Sequence, residues 1–447
     1  MSDSRIRRAP ASRLQATRHM AVLGAPAAVL AAANLFYGGY PPIASALLGV
    51  IGAAFLGVAL LRGGVRADLA ALKPALPIAV LFGLTILAAV VSLTPFAIGG
   101  VHPLWAWVPG TSPAGTLDKS ATAFEILKLL GTACWFLLGC VLGAQSARGR
   151  DAVGAILAVG GAYALIALVQ FLAEPARGGV HRLFGGFASA NAAGSVMGAL
   201  LVIAVAHLVL QLRRGKLERG SERYTRAAPS IALILLFAAC LGLTGSRGGL
   251  AATAVALAFL FVWDSFATKA SLWRIGGGLA AGLAAAAVFI TRDSPVLQRL
   301  ANDTLADDAR AVIFQAHWQA FLDAPVGGYG LGAYPAVNNM IVTTESYPAL
   351  AGTIVLHNTY LQWLEEAGLV GAVPMFALVV VVLAATVWFT VRRRSNRTLI
   401  GGLLAASLLL LVHASVDVGL QTPSVYLFWS VLLGLGLALA QAPSRSR

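Results

Sequence analysis

His357 stands beside Asn358 at the point where a polar stretch runs into a long apolar one. Imidazole titrates near neutrality and accepts a proton from a hydroxyl, so His357 is a candidate general base. A histidine simply packed at an interface accounts for the same position, and the residue types alone leave both accounts open. Asn358 is placed to orient the ring, while Gly368 and Gly371 further along would permit close helix packing.

Three arginines offer the complementary chemistry. Arg247 lies in Leu243-Thr244-Gly245-Ser246-Arg247-Gly248-Gly249, a tight turn whose following helix would add exposed N–H donors. Arg310 heads a run of helical periodicity, and Arg182 lies in His181-Arg182-Leu183-Phe184-Gly185-Gly186. A guanidinium fork matches phosphate oxygens, which makes all three candidate phosphate contacts. Against this, Arg247 can snorkel to lipid headgroups and Arg310 can pair with Asp307 or Asp308. Asp417, one turn from His413, forms either an acid–base pair with it or a helix-end hydrogen bond to a neighbour. Asp303, Asp307 and Asp308 read as a solvated helix face, because no histidine or further acid sits at ligand spacing; no metal site is expected. No serine or cysteine has a recognisable base nearby, so covalent catalysis is unsupported.

These residues must be positioned by an unusual chain. Of its 447 residues, 58% are hydrophobic and only 11% are charged. A soluble domain carries about 25% charged residues, so this composition excludes an ordinary soluble enzyme and a disordered chain. A helix crossing hydrocarbon needs about 20 mainly apolar residues. Twelve stretches qualify, near 20–37, 43–61, 75–94, 121–144, 152–173, 189–211, 229–245, 248–264, 273–291, 367–390, 398–416 and 425–441. The expected fold is an all-α polytopic membrane protein of about twelve transmembrane helices. Cys134, Cys140 and Cys240 lie within apolar stretches, which indicates neither a disulfide framework nor zinc.

The basic residues orient the chain. Placing the N-terminus, with its Arg5-Ile6-Arg7-Arg8 start, in the cytoplasm puts 24 of the 32 Lys and Arg residues on that side. The net charge of +14 is therefore a topology signal; scattered through short loops, it gives no nucleic-acid surface. Both termini are then cytoplasmic, and the opposite face carries two long segments, 95–120 and about 292–366. In the first, Trp105 and Trp107 stack on sugars or anchor at the interface. In the second, Arg310 to Leu322 aligns Ile313, Phe314, Trp318, Phe321 and Leu322 on one face beside His317, as an interfacial amphipathic helix would. Gly327-Gly328-Tyr329-Gly330-Leu331-Gly332 must be a loop, and with no strand before it a dinucleotide fingerprint is excluded.

His357-Asn358, nine residues, then Gly368-Leu369-Val370-Gly371 resembles the signature of the O-antigen ligase and polymerase superfamily. The Arg247 turn, the Arg310 helix leading to Asp323-Ala324-Pro325-Val326-Gly327, and His413-Ala414-Ser415-Val416-Asp417 are further likenesses. The resemblance implies a bacterial inner-membrane O-antigen ligase. It would be an inverting, metal-independent glycosyltransferase without cofactor, moving polysaccharide from undecaprenyl pyrophosphate to lipid A-core on the periplasmic face. His357 would be the base, Arg247, Arg310 and Arg182 the pyrophosphate contacts, and Asn358 and Asp417 supporting residues. The implied organisation is spans one to nine over 1–291, a periplasmic loop domain over 292–366 and spans ten to twelve over 367–447. Within the superfamily an O-antigen polymerase or a protein O-oligosaccharyltransferase is the alternative; outside it, a lipid-linked sugar flippase or transporter, which should place ionisable groups near mid-membrane.

Overall fold

A computed structural model describes residues 13–173, 181–214, 220–268, 304–393 and 395–443. The expected ninth span at 273–291, the basic start Arg5 to Arg8 and Asp303 lie outside the described residues, as do the side chains of Asp307 and Asp308. Among the described residues the chain is all-helical, without strands. Nine helices among the described residues are long and apolar enough to cross a membrane. In chain order they are α2 (Pro42–Leu60), α4 (Ala75–Ser92), α5 (Lys119–Gly143), α6 (Ser146–Ala173), α7 (Ala190–Arg214), α8 (Gly220–Leu243), α9 (Arg247–Thr268), α13 (Thr359–Val391) and α15 (Pro423–Gln441). Two others match expected spans with shorter apolar helices, α1 (Arg13–Leu35) and α14 (Arg397–His413). The short α3 (Val65–Ala70), α10 (Thr304–Asp323), α11 (Tyr334–Ile341) and α12 (Tyr347–Leu350) complete the order.

Helices α7 and α15 form the centre of the bundle, and most of their side chains are buried. α15 runs against α5 at a distance only glycine allows: a Cβ at Gly434 would lie 2.0 Å from the Phe136 carbonyl oxygen. α14 packs between α7 and α9, and α13 lies along α4. The outer helices turn large apolar side chains outward, among them Ile43, Leu47, Val50 and Val58 of α2 and Leu76, Val80, Leu84 and Leu87 of α4. Exposure on this scale fits hydrocarbon and not water. The protein is a multi-pass helical membrane protein.

Two expectations need correction. The apolar row on α10 is divided: Ile313 and Phe321 are buried with His317 between them, whereas Trp318 and Leu322 are 44% and 48% exposed. Positions four apart stack on one line of a helix, and the Trp318 line lies about 100° further round. The expected tenth span is also not a simple helix. α13 starts earlier, at Thr359, and breaks at Gly368, whose φ of 57° and ψ of −175° are not helical.

Candidate active site

The break in α13 leaves main-chain groups without helical partners, and the glycine loop after α10 supplies them. Tyr329 N donates to the Glu365 carbonyl at 3.0 Å and Gly330 N to that of Glu366 at 2.7 Å. In return, Leu369 N donates to the Pro325 carbonyl and Val370 N to that of Val326. Gly368 is required here twice over. Its φ lies in the left-handed region, and a Cβ would sit 2.2 Å from the Val326 oxygen. The sequence account of Gly368 as a site of helix packing therefore changes: the partner is a loop backbone, and Gly371 is the residue that faces another helix, near Ala88 of α4.

The start of α13 is fixed just as tightly. Asn358 is its N-cap, with Oδ1 accepting from Tyr360 N at 3.1 Å and Leu361 N at 3.0 Å. The cap engages this oxygen and fixes the backbone that follows His357. Thr359 N donates to the Ala414 carbonyl and the Tyr360 hydroxyl to that of Leu411, which binds the cap to the end of α14. His357 itself takes φ 62°, a conformation uncommon outside glycine that persists only where its surroundings enforce it. Its ring is half-buried, and Nδ1 has no hydrogen-bond partner among the described residues. Burial lowers its pKa below the usual value; Asp417 pushes it back up, and Arg310 pushes it down. Burial, the largest of these effects, thus favours the neutral imidazole.

The arginines gather around the same end of the bundle. Arg247 opens α9 behind a Ser246 cap whose Oγ accepts from Gly249 N at 3.1 Å. The Arg182 Nε donates to the Thr244 carbonyl at 2.6 Å, tying it to the turn that carries Arg247. Its Nη2 donates to Asn191 Oδ1 at 2.8 Å, and Asn191 Nδ2 donates to Asp417 Oδ2. The same Asp417 oxygen lies 3.9 Å from Arg310 Nη2, while Oδ1 accepts from Val418 N at 2.7 Å. Asp417 is only 3% exposed, so its charge is directed at these neighbours. Of the two earlier accounts of Asp417, the hydrogen bond to a neighbour is present, through Val418 N. Asp417 lies past the end of α14, and His413 Nδ1 is engaged by Ser195 Oγ at 2.7 Å. In the other long segment, Trp105 Nε1 donates to the Thr116 carbonyl under Lys119, whereas Trp107 is 84% exposed.

Four neighbours of the candidate residues were not singled out from the sequence. Asn191 and Ser195 looked like ordinary residues of a helix start. Glu365 and Glu366 stood in plain view inside the motif, where two carboxylates entering an apolar span signal a specific partner. Glu365 meets His317 of α10. Glu366 accepts from Gly332 N, Tyr334 N and Gln362 Nε2, and so holds the glycine loop and the first turn of α11.

The bundle thus collects three arginines, the Asp417 carboxylate and His357 at one end. Residues 231–376 match the family model described as O-antigen ligase, which supports a place in the O-antigen ligase/polymerase superfamily. The matched segment contains Arg247, Arg310 and His357; Arg182, Asn191 and Asp417 lie outside it. No curated protein matches the chain.

Proposed function

We propose that this protein is an O-antigen ligase of a bacterial inner membrane, transferring polysaccharide from undecaprenyl pyrophosphate to a lipid A-core hydroxyl on the periplasmic face. The observation that carries this reading is the Arg182–Asn191–Asp417–Arg310 chain beside a half-buried His357. His357 takes the proton of the acceptor hydroxyl as its oxygen attacks the anomeric carbon. The bond from that carbon to the pyrophosphate breaks, and the charge developing on the leaving group meets Arg247, Arg310 and Arg182. Attack opposite the leaving group inverts the anomeric centre. The leaving group is a pyrophosphate at the outset, so nucleotide activation is not needed.

In this reading 292–366 forms the periplasmic segment between the membrane units 1–291 and 367–447. The break at Gly368 supports that division, because it falls just past the expected boundary. The deciding experiment mixes the purified protein with lipid-linked O-polysaccharide and lipid A-core, without nucleotide or added metal. Joined product is expected. Chain extension of the lipid-linked glycan with no transfer to lipid A-core would favour a polymerase instead.

A further inference from the structure

Asn191 sits between the two charged halves of the site and touches both. Its Oδ1 accepts from Arg182, and its Nδ2 donates to Asp417, 226 positions away along the chain. One planar amide thereby supplies an acceptor for a guanidinium and a donor for a carboxylate. Serine 189 fixes the start of the helix beneath it, with Ser189 Oγ accepting from Asn191 N at 3.2 Å. The Asp417 oxygen that Asn191 holds is the same one that faces Arg310. At 3.9 Å, Arg310 Nη2 is within ion-pair range but beyond the roughly 2.7–3.2 Å of a hydrogen bond.

We infer that Asn191 is a positioning residue: it occupies Asp417 Oδ2, so that Arg310 is not drawn fully onto the carboxylate, and it aims Arg182 from the opposite side. The pair of guanidinium groups is then set for the two phosphates of a membrane-borne pyrophosphate. This inference rests on the functional reading above. With the amide removed, Arg310 closes on Asp417, Arg182 loses an acceptor, and the cationic groups no longer face the charge that develops during transfer. Misplacement of such groups by about 1 Å lowers the rate by up to roughly 100-fold.

The test compares Asn191→Ala and Asn191→Asp with the unaltered protein, using the lipid-linked glycan and lipid A-core assay. Asn191→Ala should lower kcat by roughly 10- to 100-fold with much less change in KM, since the lost alignment matters most in the transition state. Asn191→Asp keeps the shape but sets a carboxylate against Asp417, with Arg182, Arg310, His357 and His413 as the charged or titratable neighbours. Near pH 8 it should be defective. As the pH falls toward about 6, one proton shared by the two carboxylates restores a donor, so the ratio of variant to unaltered turnover should rise. The added carboxylate would also raise the His357 pKa in the variant, which lowers the ratio as the pH falls, so a rise in the ratio reports the shared proton. Unchanged kcat in both variants, or a deficit in Asn191→Asp that ignores pH, overturns the inference. His357→Ala run in parallel separates the two levels. Loss of transfer in His357→Ala with normal Asn191 variants removes the inference alone, and normal turnover in all three removes the functional reading as well.

Discussion

Nδ1 of His317 lies 2.7 Å from Oε1 of Glu365, and neither side chain reaches solvent. His317 belongs to α10, two turns beyond Arg310, and Glu365 to the first segment of α13, two turns beyond His357. This one contact therefore joins the helix that carries a proposed phosphate ligand to the helix that the proposed base directly precedes. Nε2 of His317 faces Asn338 Oδ1, and the ring stacks on Tyr334 at 4.7 Å, so the pair has no room to rearrange. His317→Ala leaves Glu365 buried without its partner and should destabilise the protein by about 3 kcal/mol. Thermal unfolding in detergent measures this. A melting temperature equal to that of the unaltered protein would show that the pair carries no stability.

His357→Ala should reduce transfer by about 100- to 10,000-fold while leaving expression and membrane insertion intact. The acid limb of the rate profile tests the same residue more finely. Burial holds the His357 pKa below the ordinary value, so activity should persist to a lower pH than free imidazole would allow. Asp417 pushes that pKa upward, and Asp417→Asn should therefore move the acid limb to still lower pH. A limb displaced to higher pH in Asp417→Asn contradicts the assignment of His357 as the titrating base.

Charge and shape separate at the arginines. If Arg247 and Arg310 grip a pyrophosphate through forked hydrogen bonds, Arg→Lys should fail at one or both positions although the charge is kept. Turnover of purified Arg247→Lys and Arg310→Lys settles the point. Full activity in both would reduce these side chains to generic cations.

Gly368→Ala should be far more harmful than its size suggests, because a methyl group there meets the Val326 carbonyl at 2.2 Å in a left-handed conformation. The clamp on the break would open, with loss of folded yield and of transfer. Gly83→Ala on α4, where a Cβ meets nothing within 4 Å, is the matched control and should behave normally. Equal behaviour of the two variants, seen by size-exclusion profile and melting temperature, would remove the clamp from the account.

The proposed reaction requires His357 to face the periplasm. Single cysteines in a background lacking Cys134, Cys140 and Cys240 test this. Thr344 and Gly63 are exposed and lie on the two expected faces. Thr344→Cys should react with an impermeant thiol reagent in intact spheroplasts, and Gly63→Cys only after permeabilisation. The opposite pattern would place the site in the wrong compartment.

The apolar spans were legible because crossing hydrocarbon is a local requirement: each segment must satisfy its own backbone and bury its own side chains. α5, α6 and α15 accordingly lie close to where their apolar runs predicted. Arg247 and His357 were conspicuous as polar residues beside apolar runs, whereas Arg310 was singled out within the long segment between spans. Tertiary structure alone decided which apolar faces meet protein and which meet lipid, because both surroundings favour the same residues. The row of Ile313 and Phe321 and the row of Trp318 and Leu322 are indistinguishable in composition, yet one is buried and the other is not. It also decided that Asn191 meets Asp417 and that a glycine loop clamps α13 at Gly368. Those contacts join distant segments through single hydrogen bonds and backbone carbonyls, which leave no period or spacing in the chain; they exist only once the helices have packed.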